Sequence, residues 1–190
     1  MRKDLGSLPG VFPMPVLMVA TYGEDGKVDV MNVAWGNICG MDKIALNLAT
    51  ERKTLKNIRA KNAFTVALAD EAHVKEADFL GTASGNVMAD KFERTGLHAV
   101  KSKHVDAPII EEFPVTLECK VEEIRDSFGE VKVTGTIVNV SADEKVLDEN
   151  GKINAGKLNA IMFDQFQNTY YTTGKKIAEA WRAGAEYMKK

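Results

Sequence analysis

The sequence predicts a mainly β protein, an antiparallel barrel with helical additions, and three observations carry that prediction. Apolar, strand-forming runs come in pairs joined by short turns rich in Gly and Asp. Helical patterns fall between strands without the regular alternation of a doubly wound sheet. Neither GxGxxG nor GxxxxGK followed by Ser or Thr occurs, so no motif argues for a parallel nucleotide-binding sheet.

Pro15 to Tyr22 is an apolar strand, Gly23-Glu24-Asp25-Gly26 supplies an Asp-Gly turn, and Val28 to Trp35 returns as the second arm of a hairpin. Ile44 to Ala49 reads as a third strand. Thr50 is placed as the N-cap of a helix through about Lys61, with Leu55 and Ile58 inward and Lys56, Arg59 and Lys61 outward. Phe64 to Leu68 is another short strand. Glu71 to Phe79 predicts a modest helix and Ala89 to Thr95 a second one closed by Gly96, with the loop Gly81 to Asn86 between them. From Pro114, the residues Val115, Leu117, Cys119 and Val121 alternate with Thr116, Glu118, Lys120 and Glu122, as in a half-buried antiparallel strand. A turn over 126–129 leads into Val131 to Ile137, where a slip of phase predicts a bulge around Gly135. Residues 143–159 read as polar loop. Ile177, Trp181, Ala185 and Met188 predict an amphipathic helix over 174–190.

With 190 residues and no repeat or linker, the chain is expected to be one domain, residues 1–190. Its 45% hydrophobic content excludes disorder, and a formal charge of −2 leaves no broad basic field for nucleic acid. No apolar run reaches the ~20 residues that span a bilayer, so no membrane partner is expected. Met1-Arg2-Lys3 before the apolar stretch Val11 to Ala20 imitates an export signal, but Pro9, Pro13 and Pro15 interrupt it and Asp4 spoils its basic flank. A cytoplasmic setting is expected, and Cys39 and Cys119, far apart and outside any CxxC, fit a reducing compartment. His73, His98 and His104 lack metal-ligand spacing, so no metal site is expected and they read as surface histidines. No GxSxG elbow is present.

Four segments carry polar or aromatic groups at strand ends, where barrels place ligands. Met31 to Asn37 offers an amide, a small residue and an indole to a flat heterocycle, or equally a Trp to the core. Thr50-Glu51-Arg52-Lys53-Thr54 joins a helix start to two hydroxyls and two cations, suited to a phosphate, although a plain cap explains each residue separately and Glu51 opposes an anion. Gly81 to Asn86 with Asp90-Lys91-Phe92 admits close backbone approach, or is an ordinary turn. Asn168-Thr169-Tyr170-Tyr171, after Phe163 and Phe166, is an aromatic group that packing alone also explains. Together they suggest a phosphorylated aromatic ligand on a barrel rim.

At these same segments the sequence resembles the flavin reductase-like family of FMN-binding split barrels, especially its flavoredoxin-type branch. The matching stretches are Asn32 to Gly36, Arg52-Lys53-Thr54 with Lys56-Asn57-Ile58, Glu76 to Phe79 through Ser84-Gly85, and Asp90-Lys91-Phe92 with Gly96-Leu97. Asp106 to Glu112, Leu117 to Lys120, and Tyr170-Tyr171 before Gly174 continue the series, so the resemblance spans roughly Pro15 to Trp181. Met41-Asp42-Lys43 departs from it, since many relatives carry a proline pair there.

The resemblance implies a six-stranded antiparallel Greek-key split β-barrel of the FMN-binding type, a homodimer, and FMN at or near the subunit interface. Asn32, Val33, Ala34 and Trp35 would line the isoalloxazine edge, and Thr50, Arg52, Lys53 and Thr54 would hold the phosphate. Ser84, Gly85 and Lys91 would close over the ribityl chain or ring, with Tyr171 near the cofactor from either subunit. The implied activity is an FMN-dependent oxidoreductase. It would pass electrons from NADH or NADPH, bound transiently, or from a protein donor to a flavin or redox-protein acceptor, with no side chain assigned as acid or base. A flavoredoxin proper, acting as an electron carrier, and a non-catalytic flavin-binding or sensing barrel dimer are the alternatives.

Overall fold

The computed structural model describes residues 1–127 and 129–188. The turn expected over 126–129 includes Phe128, and the helix expected over 174–190 includes Lys189 and Lys190; these three lie outside the described residues.

The strands are β1 (Met14–Pro15), β2 (Leu17–Tyr22), β3 (Val28–Val33), β4 (Gly36–Ile38), β5 (Lys43–Ala49), β6 (Ala63–Leu68), β7 (Ala99–Lys101), β8 (Pro108–Ile110), β9 (Val115–Ser127), β10 (Glu130–Ala142), β11 (Ile161–Asp164) and β12 (Thr169–Thr172). The helices are α1 (Lys53–Lys61), α2 (Val74–Thr82) and α3 (Ala155–Leu158). The main sheet runs β3-β2-β6-β9-β10-β5-β4, every pair antiparallel. β1-β11-β12 and β7-β8 form two smaller sheets.

The two edges of the main sheet, β3 and β4, are parts of one run of chain separated only by Ala34 and Trp35. The Asn47 amide donates to the Trp35 carbonyl at 2.8 Å across that break. The bent run thus belongs to both edges and curls the sheet toward closure, so seven hydrogen-bonded segments make a six-stranded split barrel. β2, β3/β4 and β5 follow as hairpins, and the connection through α1 then returns β6 to the side of β2, which is the Greek-key order.

Inside the barrel, Leu17 and Val19, Met31 and Val33, Leu46 and Leu48, Phe64 and Val66, and Val131 and Val133 form one cluster, and α1 covers its end with Leu55 and Ile58. A second cluster lies outside β2, β3 and β6, where α2 and the segment after it bury Met18, Val30 and Ala67 under Ala77, Leu80 and Phe92. Both faces of β2 and β6 are therefore covered, which is why they read as continuous apolar runs rather than alternating ones. The expected bulge is present: the β9–β10 register shifts between Thr134 and Gly135, and again between Ile137 and Asn139. A Cβ at Gly135 would stand 2.5 Å from Phe64 Cζ, deep in the barrel. Gly135→Ala should therefore cost about 1–3 kcal/mol, read as a lower urea midpoint at unchanged slope.

Several expectations need correction. The helix after β5 begins at Lys53 with Arg52, not Thr50, as its N-cap, because residues 50 and 51 form a turn closed by the Arg52 amide on the Ala49 carbonyl at 3.2 Å. The segment 71–79 opens as a 3₁₀ turn at Glu71–His73, and its α-helix continues past Gly81 to Thr82. Gly81 does not end this helix. A Cβ there would come within 2.9 Å of Asn32 Cβ, so its absence lets α2 lie on β3. Around Ala89 to Thr95 only Glu93–Thr95 is helical, as 3₁₀, and Gly96 ends it in the left-handed region at φ 73°. The loop over 143–159 contains a 3₁₀ turn at Glu144–Val146 and α3, held by buried Val146 and Leu158.

Two errors concern burial. Thr116 and Glu118, expected on a solvated face, are buried, and the Glu118 carboxylate accepts from Ser102 Oγ and from Asn139 Nδ2. His73 is half-buried, with Nδ1 2.7 Å from Asp70 Oδ1 and its ring edge-on to Phe113. The terminal amphipathic helix is absent from the described residues: 174–184 have no helix and only Ala185–Met188 make a 3₁₀ turn. None of the described residues covers Ile177 or Trp181, and an isolated helix of this length is marginal without a packed face.

Candidate functional site

The site lies where the β3/β4 break, the start of α1, the end of α2 and the β11–β12 hairpin meet. A cleft of about 500 Å³ is lined by Asn32, Val33, Ala34 and Trp35, by Arg52, and by Phe163, Asn168 and Tyr170. Asn32 Nδ2 donates to the Ala77 carbonyl at 3.4 Å, which fixes its amide between β3 and α2. The Tyr170 hydroxyl donates to Asp78 Oδ1 at 2.9 Å. Burial and the neighbouring Asp78 carboxylate push that phenol up to about 12, so it remains a donor throughout the neutral range. Trp35 is 48% exposed and available to a ligand or partner, in contrast to a core Trp.

A tight crevice with only about 10 Å³ of open space adjoins this cleft through Met31 and Arg52, and is lined by Asp29, Lys53, Thr54, Ser84, Gly85 and Lys91. Here α1 starts without a side-chain cap and without an acidic residue in its first turn. The first turn of a helix points unpaired N–H groups outward, and with Arg52 and Lys53 beside them this end suits an anion. Gly85 lies so close that a Cβ would stand 2.4 Å from Asp29 Oδ1 and 3.0 Å from Lys53 Cδ, so the loop can line the cavity only as glycine. Asn86 Nδ2 donates to the Glu51 carbonyl at 2.7 Å and ties that loop to the approach to α1.

Ten of the twelve expected binding residues thus line two joined cavities. Thr50 and Tyr171 line neither. Thr50 is exposed in the turn before α1, and Tyr171 points away, edge-on to Phe12 with ring centroids 5.8 Å apart. Its neighbour Tyr170 takes the cleft side, because successive residues on β12 face opposite ways. Lys91 is 4% exposed, with Nζ donating to the Leu80 and Ala83 carbonyls at 3.2 Å each and lying 3.7 Å from Asp29 Oδ1. Burial pulls its ammonium below the ordinary lysine value, with Asp29 opposing that shift and Arg52 and Lys53 adding repulsion. Asp29 and Asp78 escaped the sequence reading. The first had a visible signal, a lone carboxylate between two valines in a strand; the second is brought to the cleft only by the docking of α2.

The flavin reductase like domain model matches residues 9–168. The chain belongs to that family. An uncharacterized protein of Bacillus subtilis (strain 168), YwrF, is 30% identical over 158 residues, 75% of this chain and 76% of that protein. The solved flavoredoxin of Desulfovibrio vulgaris (Miyazaki F) is 33% identical with a TM-score of 0.92, covering 97% of this chain and all of that one. An FMN-binding protein from Thermus thermophilus, 18% identical, covers 94% of this chain and 99% of its own with a TM-score of 0.76, a likeness of fold alone. The split barrel is thus the fold of this flavin reductase-like chain.

The two thiols of this family member differ in environment. Cys39 is exposed, whereas Cys119 is buried in the barrel and burial pushes its thiol up to about 12. A disulfide-exchange reagent such as Ellman's should release one equivalent from the folded protein and two in denaturant. Two equivalents at the native rate would mean that the barrel interior is open. Among the described residues no helix is long and apolar enough to cross a membrane.

Proposed function

We propose that this chain binds FMN, with the phosphate at the start of α1 and the ring in the cleft, and acts as a flavin-dependent oxidoreductase. The observation that carries the reading is the junction at Arg52: an uncapped, acid-free helix start with two cations opens directly into a cleft lined by the β3/β4 break and by Tyr170. The family match and the printed names of the flavoredoxin and FMN-binding neighbours point the same way. Bound there, FMN would supply hydride and single-electron chemistry.

The residues of the chain then have binding and orienting tasks. Arg52, Lys53 and the first N–H groups of α1 would take the phosphate charge, and Gly85 would let the loop backbone approach. Residues 32–35 would hold one edge of the ring, with amide dipoles able to stabilise negative charge that develops on it. Phe163 and Tyr170, which line the same cleft, would pack against it and exclude water.

The donor in this proposal is NADH, NADPH or a reduced protein, and the acceptor a flavin or a redox protein. A second reading, that of a flavoredoxin-type electron carrier that reacts poorly with nicotinamides, is favoured by the 33% identity to a solved flavoredoxin. Anaerobic mixing separates them: rapid bleaching of the FMN-loaded protein by NADH or NADPH supports the reductase, and indifference to both supports the carrier. We further propose a homodimer, since Trp35 at the cleft, Ile38 on β4 and Met41 in the turn after it are exposed, and the apolar tail residues Ile177 and Trp181 are uncovered among the described residues. Light scattering should give twice the chain mass of 20.8 kDa. The two free thiols fit the cytoplasm, where we place the protein.

A further inference from the structure

We infer that Asp29 is the positioning residue of the phosphate cradle: it holds Thr54 and Lys91 behind the anion and sets the charge that the cradle presents. The inference rests on the FMN reading above.

Asp29 sits on β3 and is 2% exposed. Its Oδ2 accepts from Thr54 Oγ1 at 2.5 Å, and its Oδ1 lies 3.7 Å from Lys91 Nζ. Gly85 packs against the same Oδ1, where any Cβ would collide. One carboxylate therefore meets the first turn of α1, the Lys91 segment and the glycine of the loop, the three walls of the small cavity. Lys91 passes the constraint on, because its bonds to the Leu80 and Ala83 carbonyls hold the chain that leads into Ser84 and Gly85. Deeper on the same face, Asn57 Nδ2 donates to Thr21 Oγ1 at 3.0 Å, so a second buried polar contact locks α1 over β2. Burial of a carboxylate is costly unless it is paired, and here its pairing coincides with the place where the cavity walls converge.

The charges agree with this role. Arg52, Lys53 and Lys91 bring three positive charges and Asp29 removes one, which leaves a surplus of two. A phosphate monoester carries about −1.5 to −2 near neutral pH. The cradle is thus matched to a terminal monoester, and a diester with its single charge would leave it unbalanced.

A carboxylate that merely repelled the anion would have the opposite effect on binding from one that positions the cradle, and this difference in sign makes the inference testable. Full-length apoprotein is titrated with FMN and, separately, with riboflavin, which has the same ring and no phosphate, in the wild type, Asp29→Asn, Thr54→Val and Thr54→Ser. Positioning predicts that Asp29→Asn weakens FMN binding about tenfold or more and leaves riboflavin binding unchanged. Thr54→Val should show the same phosphate-selective loss, and Thr54→Ser, which keeps the hydroxyl, should restore it. Adding Thr54→Val to Asp29→Asn should cost little beyond Asp29→Asn alone, since the Thr54 hydroxyl acts through the bond that Asp29 accepts.

Tighter FMN binding by Asp29→Asn, an equal loss for FMN and riboflavin, or no change in either would overturn the inference. If Asp29→Asn does not fold, Asp29→Glu decides: with its carboxylate displaced by one methylene it should lose FMN affinity and keep riboflavin affinity, and unchanged FMN affinity overturns the inference. A wild type that takes up neither flavin overturns the FMN reading itself, and the inference with it. A wild type that prefers FMN to riboflavin, with variants that keep that preference, overturns the role of Asp29 alone.

Discussion

Lys91→Ala should lower the stability of the folded chain by about 3–5 kcal/mol, the range found when one partner of a buried charge pair is removed and the other is left behind. The side chains of Lys91 and Asp29 are 4% and 2% exposed, so water cannot solvate the carboxylate that the substitution strands. The Leu80 and Ala83 carbonyls lose their shared donor as well. Lys91→Met, which keeps most of the stem volume, should be nearly as harmful, because charge and hydrogen bonding rather than packing are lost. The exposed Lys145→Ala should stay within about 0.5 kcal/mol. Urea unfolding of the three variants gives the comparison. It also has a pH signature: the folded chain releases the Lys91 proton below the ordinary value of 10.5, while the unfolded chain still holds it. Stability contributed by this group therefore rises with pH between the lowered value and 10.5 and is flat below that window, and Lys91→Ala should remove the slope.

Arg52→Ala combined with Lys53→Ala should weaken FMN binding about 100-fold, because each lost charge-assisted bond is worth about 1.5–3 kcal/mol when desolvated and less when half-exposed, as here. Riboflavin binding should hardly change, and the salt sensitivity of FMN binding should fall with the two charges. Retention of FMN at wild-type affinity would remove the phosphate from the start of α1 and leave the fold untouched.

Much of the barrel was legible in the sequence because its strands carry their signals locally. The Asp-Gly turn before Val28, the clean alternation after Pro114 and the irregular phase at Gly135 each depend on neighbours a few residues away. What failed depends on contacts distant in sequence. Glu118 alternates as a surface residue, yet the segment carrying Ser102 folds over it. Gly81 has the spacing of a helix terminator, yet its missing side chain serves the docking of α2 on Asn32. The terminal segment has an apolar stripe, but among the described residues no surface receives it.

The candidate site divides the same way. Residues 32–35 and 52–54 were readable because each group is contiguous and sits at the end of an element. Thr50 was read as the N-cap because a hydroxyl two residues before the true cap, Arg52, looks like a cap in sequence. Tyr171, expected near the cofactor from either subunit, faces away from the cleft of its own chain while Tyr170 lines it, because one step along a strand reverses the side chain. Asp29 and Asp78 become part of the site only when α1, α2 and β3 are brought together.

Whether this flavin reductase-like chain carries FMN is read from the visible spectrum of the purified protein, with any released flavin identified by mass. The expected result is a yellow protein, or a colourless one that takes up one FMN per chain when the cofactor is added, with FMN as the flavin released. A colourless preparation that takes up no added FMN would rule out FMN binding by this chain.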